Sequence, residues 1–290
     1  MSISIIFLYF ITITAWGSAF FFTTYQINVV SIEWSVFYRF FFTSLIFFLI
    51  SILFKKKISF SLKDHTVYIL LGILLFSLHF IAVYYSISII KSGLTAVGFS
   101  SILIMNVILS KIFLKNKFEI PVIIGSFFGI LGIIFIFLPE ISNIQNSTLV
   151  FFGFFLSFFA AIIASFGNTL SEWYQKNGGE IIQTSAWGMI YGCIISAILA
   201  IFRGQKISFE FSGEFIYSLF YLVIFCTTIA FWAYLSLIKK IGSRKAAYAW
   251  VAAPLVALFL SFLFENYQWT NLSIIGSLFL IFGNILILKK

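Results

Sequence analysis

Two ionisable side chains stand where an ionisable side chain needs a reason. Arg39 falls inside the apolar run 34–54, and His79 falls inside the run 67–90. A charge at the centre of a bilayer costs ~2.5–3.5 kcal/mol on the insertion scale. Arg39 therefore reads in one of two ways. It is a cation that meets an anionic solute group or locks a gate, or it is a structural arginine that snorkels outward or binds a carbonyl at a helix end. His79 either couples protons, since a small shift carries imidazole across neutral pH, or is a neutral ring bonded between helices; the second reading is favoured. Glu33, Glu172 and Glu265 stand at run ends and are expected to face water or the interface. Asn106, Asn168 and Asn284 lie within runs, where amides hydrogen-bond between helices. Trp34, Trp173 and Trp269 read as interfacial anchors. Pro254 sits in mid-run, removes one backbone hydrogen bond and so marks a candidate hinge. The spacings Gly125-x-x-x-Gly129 and Gly188-x-x-x-Gly192 permit close helix approach. Packing within a monomer is the default use of them, with a homodimer seam as the lesser alternative.

Other chemistry lacks its parts. No G-x-x-x-x-G-K-[ST] loop is present to cradle nucleotide phosphates. No Cys, His and carboxylate group has metal-ligand spacing, and two histidines assemble no nucleophile-and-base pair. No metal or cofactor is expected. Cys193 and Cys226 both lie in apolar runs and suggest no disulfide framework.

The elements that must hold these residues are set by composition. Of 290 residues, 62% are hydrophobic and 9% charged. A soluble domain carries roughly 45–50% apolar and about 25% charged residues, so the surface of this chain must face lipid. A helix needs about 20 apolar residues to cross the hydrocarbon core. Ten runs qualify: 4–24, 34–54, 67–90, 94–114, 120–138, 149–171, 181–202, 215–238, 246–264 and 271–288. Residues from Ile5 onward lack a basic leader and read as the first span. The formal charge of +9 does not point to nucleic acid, because the basic residues sit in the gaps between runs. With the N-terminus inside, fourteen Lys and Arg fall in cytoplasmic segments, around Lys55–Lys63, Lys111–Lys117, Lys176, Lys239–Lys245 and Lys289–Lys290. Only Lys91, Arg203 and Lys206 fall outside. This bias predicts both termini in the cytoplasm.

The chain also repeats itself. Residues 123–137 and 274–288 agree at nine of fifteen positions, including Gly125/Gly276, Ser126/Ser277 and Gly132/Gly283. Trp16-Gly17-Ser18 is echoed by Phe166-Gly167-Asn168. Five spans per half is an odd number, so the second half must be inverted. Inverted halves are a common build of secondary transporters, with the solute site at their seam. The expected fold is an all-α membrane protein of ten transmembrane helices, arranged as two inverted five-helix repeats at 1–140 and 146–290.

The segment TAWGSAFF at 14–21, Arg39-Phe40, Ser92-Gly93, Ala253-Pro254, Glu265 and the Gly-Ser…Gly patterns of spans five and ten together resemble the EamA family of drug/metabolite transporters. The resemblance covers essentially the whole chain. One departure is Ile104-Met105-Asn106, which stands where family members carry a proline in the fourth span. The resemblance implies alternating access and a small organic metabolite, an amino acid or similar, moved across the cytoplasmic membrane, with export expected. It implies further that spans one, three, four, six, eight and nine line a central cavity. The candidates there are Trp16, Ser18, His79, Tyr84, Ser100, Asn168, Trp232 and Trp250, joined by Arg39 from the charge argument. The expected partners are a solute and the bilayer. The alternative function is an intramembrane enzyme acting on a lipid-linked substrate, which would need acidic or histidine residues converging near one membrane face.

Overall fold

The computed structural model describes residues 3–115, 120–142, 147–246 and 248–288. Lys117, Lys289, Lys290, the outermost residues of both expected repeats and the side chains of Arg244 and Asn284 lie outside that description. The described residues are helical and include no strand. In chain order the helices are α1 (Ile3–Thr24), α2 (Ile32–Leu53), α3 (Leu62–Ile87), α4 (Ser92–Leu114), α5 (Ile120–Ser142), α6 (Ser147–Lys176), α7 (Ile181–Phe202), α8 (Gly213–Ser243), α9 (Tyr248–Phe264) and α10 (Asn271–Leu288). Seven of them, α1–α4 and α6–α8, are long and apolar enough to cross a membrane. The apolar segments Ile123–Pro139, Tyr248–Phe264 and Asn271–Gly283 are shorter.

The local chemistry of these helices follows from lipid as solvent. Away from water, a hydroxyl can bond to a carbonyl one turn back on its own helix. Thr12 donates to Leu8 O at 2.7 Å, Thr23 to Ala19 O at 2.8 Å and Ser51 to Phe47 O at 2.8 Å. At the polar start of α3 a side-chain cap forms instead. Ser61 Oγ accepts from Asp64 N, and the Asp64 carboxylate accepts from Ser61 N, closing a capping box on α3.

Helices α3 and α8 each contain a π-turn. It spans Leu74–Leu78 in α3 and Leu222–Ile229 in α8, and the two begin 148 residues apart. A π-turn shifts the backbone register by one residue and changes which carbonyls are bonded. Side chains five residues on use those carbonyls. His79 Nδ1 donates to Leu74 O at 2.8 Å, Thr227 Oγ1 to Leu222 O at 2.7 Å and Thr228 Oγ1 to Val223 O at 2.8 Å.

Packing pairs α5 with α10, α2 with α7, α1 with α8 and α9, and α6 with α3 and α4. Glycines permit the closest of these approaches. A Cβ on Gly132 would stand 2.7 Å from Gly276 O, and one on Gly276 would stand 2.7 Å from Gly132 O. Seven residues along each helix, Gly283 meets Gly125 O at 2.7 Å in the same sense. Gly188 and Gly192 of α7 lie against Phe76 of α3. Both glycine spacings thus serve contacts within the chain.

Contacts sort the helix ends into two groups. At one end Tyr9 donates to the Lys245 carbonyl, Tyr174 to Asp64 Oδ1 at 2.9 Å, and Trp187 Nε1 to Ile58 O at 3.0 Å. At the other end Arg203 pairs with Glu33 at 2.6 Å, and Lys91 Nζ donates to Asn266 O at 3.2 Å. Ser92 N donates to Glu265 Oε2 at 3.2 Å, and Gly93 N to Ser261 Oγ at 3.0 Å. These last bonds fasten the start of α4 to the end of α9.

Three expectations about polar margins fail here. Glu172 is 3% exposed, not water-facing: it accepts from Ser243 N at 2.7 Å beyond the kink at Gly242 and pairs with Lys176 at 2.8 Å. Glu33 is likewise buried, held by Arg203 and by Tyr85 at 2.8 Å. Trp34 is buried rather than presented to headgroups, because it packs with Val30, Phe215 and Leu219 between α2 and α8. Position along a helix was readable from sequence in each case; the neighbour that covers the side chain was not.

Candidate functional site

A narrow cavity opens among α1, α2, α3, α4 and α9. Its walls are Trp16, Phe20 and Thr23 of α1, Arg39 of α2, His79, Phe80 and Tyr84 of α3, Phe99 of α4, and Trp250 of α9. Its volume in this conformation is small, about 20 Å³, room for roughly one water, so an organic solute would need the wall to move apart.

Each wall residue is held from behind. Trp16 Nε1 donates to Cys226 O at 3.0 Å, a carbonyl in the π-turn of α8, which fixes the indole plane. Its ring stacks on Trp250 with centroids 3.9 Å apart and planes 15° from parallel, and it meets Tyr234 at 4.6 Å. Arg39 Nε donates to Thr227 Oγ1 at 2.8 Å, and the Thr227 hydroxyl in turn donates to Leu222 O at 2.7 Å. The guanidinium carbon lies 4.6 Å from the Phe80 centroid, a cation–π contact. Arg39 is 1% exposed, and its Nη2 has no hydrogen-bond partner. His79 Nδ1 donates to Leu74 O, which leaves Nε2 as the ring nitrogen without a bond to that carbonyl. Its ring lies 4.2 Å from Phe80 and 5.9 Å from Phe99. Tyr84 donates to Gln26 Oε1 at 3.2 Å.

Five of the sequence candidates therefore meet in one place: Trp16, Arg39, His79, Tyr84 and Trp250. Ser18 is buried near them but is engaged with Thr14 O at 2.8 Å and the Tyr221 hydroxyl at 2.9 Å. Ser100 donates to Val97 O at 2.6 Å and is not among the wall residues. Asn168 lies apart, its amide 3.5 Å from Asn106 Oδ1 between α6 and α4. Trp232 is 44% exposed on the outer surface. The inward stripe of α8 runs through Phe231, Tyr234, Leu235 and Ile238, at helical spacing, and Trp232 falls one residue off it. Pro254 is buried within α9.

The sequence reading missed Phe20, Phe80 and Phe99, because 41 phenylalanines leave none distinguished by type. It also missed Thr227, the anchor of Arg39. The adjacent hydroxyls of Thr227 and Thr228 within an apolar run were the available signal. The arrangement holds a desolvated cation against aromatic faces, with neutral acceptors beside it. Among the described residues no group of three His, Cys, Asp or Glu could hold a metal ion.

The EamA-like transporter family matches residues 3–138 and again 151–289. An uncharacterized transporter of Bacillus subtilis (strain 168), YoaV, is 26% identical over 236 residues, 81% of this chain and 80% of that protein. An uncharacterized transporter of Archaeoglobus fulgidus is 26% identical over 280 residues, 97% of each chain. The uncharacterized inner membrane transporter YicL of Salmonella typhimurium is 29% identical over 142 residues, 49% of this chain and 45% of that one. One solved crystal structure superposes with a TM-score of 0.77 at 13% identity, covering 99% of this chain and 96% of the other, a likeness of fold alone. The two family matches together span nearly the whole chain, and the helices are apolar enough for a multi-pass membrane protein. This chain belongs to the EamA-like transporter family.

Proposed function

We propose that this protein is a secondary carrier that moves a small organic metabolite, an amino acid or a similar compound, across the cytoplasmic membrane by alternating access, in the direction of export. Ten spans form two inverted five-helix repeats, 1–140 and 146–290, with both termini cytoplasmic and the Arg39 cavity as the solute site. A carrier is favoured over an intramembrane enzyme by membership of a transporter family and by a cavity wall that carries no carboxylate.

The observation that carries the reading is the reciprocity of α5 and α10. Gly125 and Gly276 are repeat mates in sequence, as are Gly132 and Gly283. In space Gly125 meets Gly283 and Gly132 meets Gly276, so exchanging the mates maps one contact onto the other. That is the behaviour of two units about a pseudo-two-fold axis. The π-turns of α3 and α8 recur at nearly the same offset. Two such halves can exchange conformations and open the seam first to one side and then to the other.

Reconstitution in proteoliposomes is the test. Entry of a labelled metabolite should saturate and should accelerate when the same unlabelled compound is preloaded inside. A panel of amino acids and organic acids that shows neither saturation nor acceleration rejects the carrier.

A further inference from the structure

We infer that the Arg39 cavity takes a monovalent organic anion with an apolar, ring-bearing body and no ammonium group, so that the solute is an organic acid of the 2-oxo acid kind and not a zwitterion. The inference rests on the carrier reading above and, within the small organic metabolites named there, selects organic acids over amino acids.

The argument starts from an unbalanced charge. Arg39 is buried, and neither of the two ion pairs formed by the described residues includes it. A guanidinium offers five N–H donors in a planar fork. One of them is taken by the neutral Thr227 hydroxyl, and Nη2 has none to meet. Taking an ion out of water costs more than a single cation–π contact, here with Phe80, returns. The remainder is what an incoming anion would relieve.

The same wall argues against an ammonium. It includes no Asp or Glu. Its side-chain polar atoms apart from Arg39 are the hydroxyls of Thr23 and Tyr84, the His79 ring, the Trp16 indole N–H, which is already engaged, and the Trp250 indole N–H, which has no partner. A zwitterion docked by its carboxylate would leave its ammonium with neutral acceptors and ring faces, beside a protein cation. A dianion would leave one negative charge uncompensated in the same low-dielectric space. A monoanion alone brings the site to neutrality. Beyond these groups the wall is aromatic, with Phe20 and Phe99 beside the stacked Trp16–Trp250 pair, and such a lining suits an apolar body.

Three probes separate these cases while keeping one ring: phenylpyruvate (anion), L-phenylalanine (zwitterion) and 2-phenylethylamine (cation). Each is tested on the full chain for thermal stabilisation in detergent and for counterflow in proteoliposomes. Phenylpyruvate should stabilise the protein and be carried, with a half-saturating concentration at least about tenfold below that of phenylalanine; 2-phenylethylamine should do neither. Arg39→Gln should weaken phenylpyruvate binding by about 10- to 100-fold, the loss of a charge-assisted bond, and Arg39→Lys should retain part of it. Equal or better handling of phenylalanine or 2-phenylethylamine overturns the inference. So does an absence of phenylpyruvate binding, or unchanged binding in a folded Arg39→Gln protein. If Arg39→Gln does not fold, the probe series on the native chain decides alone. Phenylpyruvate binding through Arg39 without counterflow upholds the anion site and overturns the carrier reading.

Discussion

Arg39 is positioned by a hydroxyl and a displaced turn of backbone. Thr227 can accept from Arg39 Nε because its own proton is committed to Leu222 O, five residues back in the π-turn. His79 uses the matching turn of α3 in the same way. Arg39 and His79 are thus oriented by the two irregular turns of the fold. Indole placement is equally specific. Trp16 is clamped between Cys226 O and the Trp250 face, whereas Trp232 faces outward. Trp16→Ala should therefore raise the half-saturating solute concentration at least about tenfold, the scale of a lost aromatic contact, while Trp232→Ala should leave it within about twofold. Counterflow kinetics of the two variants check this. Arg39 and His79 were legible in the sequence because an ionisable group in an apolar run is conspicuous by type. Trp232 was misplaced because rotation about the helix axis, which sends it outward, depends on which face the neighbouring helices cover.

Helix pairs in lipid gain no hydrophobic drive from one another and rely on close packing. The α5–α10 contact shows what that requires. A Cβ on Gly132 would stand 2.7 Å from a backbone carbonyl of α10, whereas one on Gly129 of the same helix would have its nearest neighbour, a Leu103 methyl, at 4.0 Å. The same substitution should then have opposite signs at the two sites. Gly132→Ala should lower stability by about 1–3 kcal/mol through overpacking, and Gly129→Ala should be neutral or stabilise by up to about 1 kcal/mol through helix propensity. Thermal unfolding of the purified variants in one detergent measures both. The glycine pattern was visible beforehand as a repeat. Which glycine meets which carbonyl was not, since the match depends on an antiparallel register that sequence spacing leaves open.

At the scale of the molecule, the bonds that fasten α4 to α9 lie at the same end as the Arg203–Glu33 pair. The basic segments around Lys55–Lys63 and Lys239–Lys245 lie at the opposite end, with the Tyr9–Lys245 contact. The proposed orientation makes the first end external and the second cytoplasmic. Single cysteines introduced as Lys56→Cys and Lys240→Cys, with Cys193 and Cys226 replaced by alanine, should react with an impermeant thiol reagent only after the membrane is opened. Gln205→Cys should react in intact cells. Labelling of positions 56 and 240 from opposite sides would dismantle the inverted-repeat reading.

Apolar run length, the basic residues between runs and the spaced glycines are properties of the chain read in order. Lipid solvation acts on them locally, so helical class, membrane residence and family were all open to a linear reading. The cavity was not, because it arises where five helices from distant parts of the chain meet. Which wall residues face it depends on helix rotation, on the two π-turns and on carbonyls such as Cys226 O and Leu222 O, whose availability no residue type announces. Whether Glu33 and Glu172 face water or protein was settled the same way, by the partner that happens to cover each carboxylate.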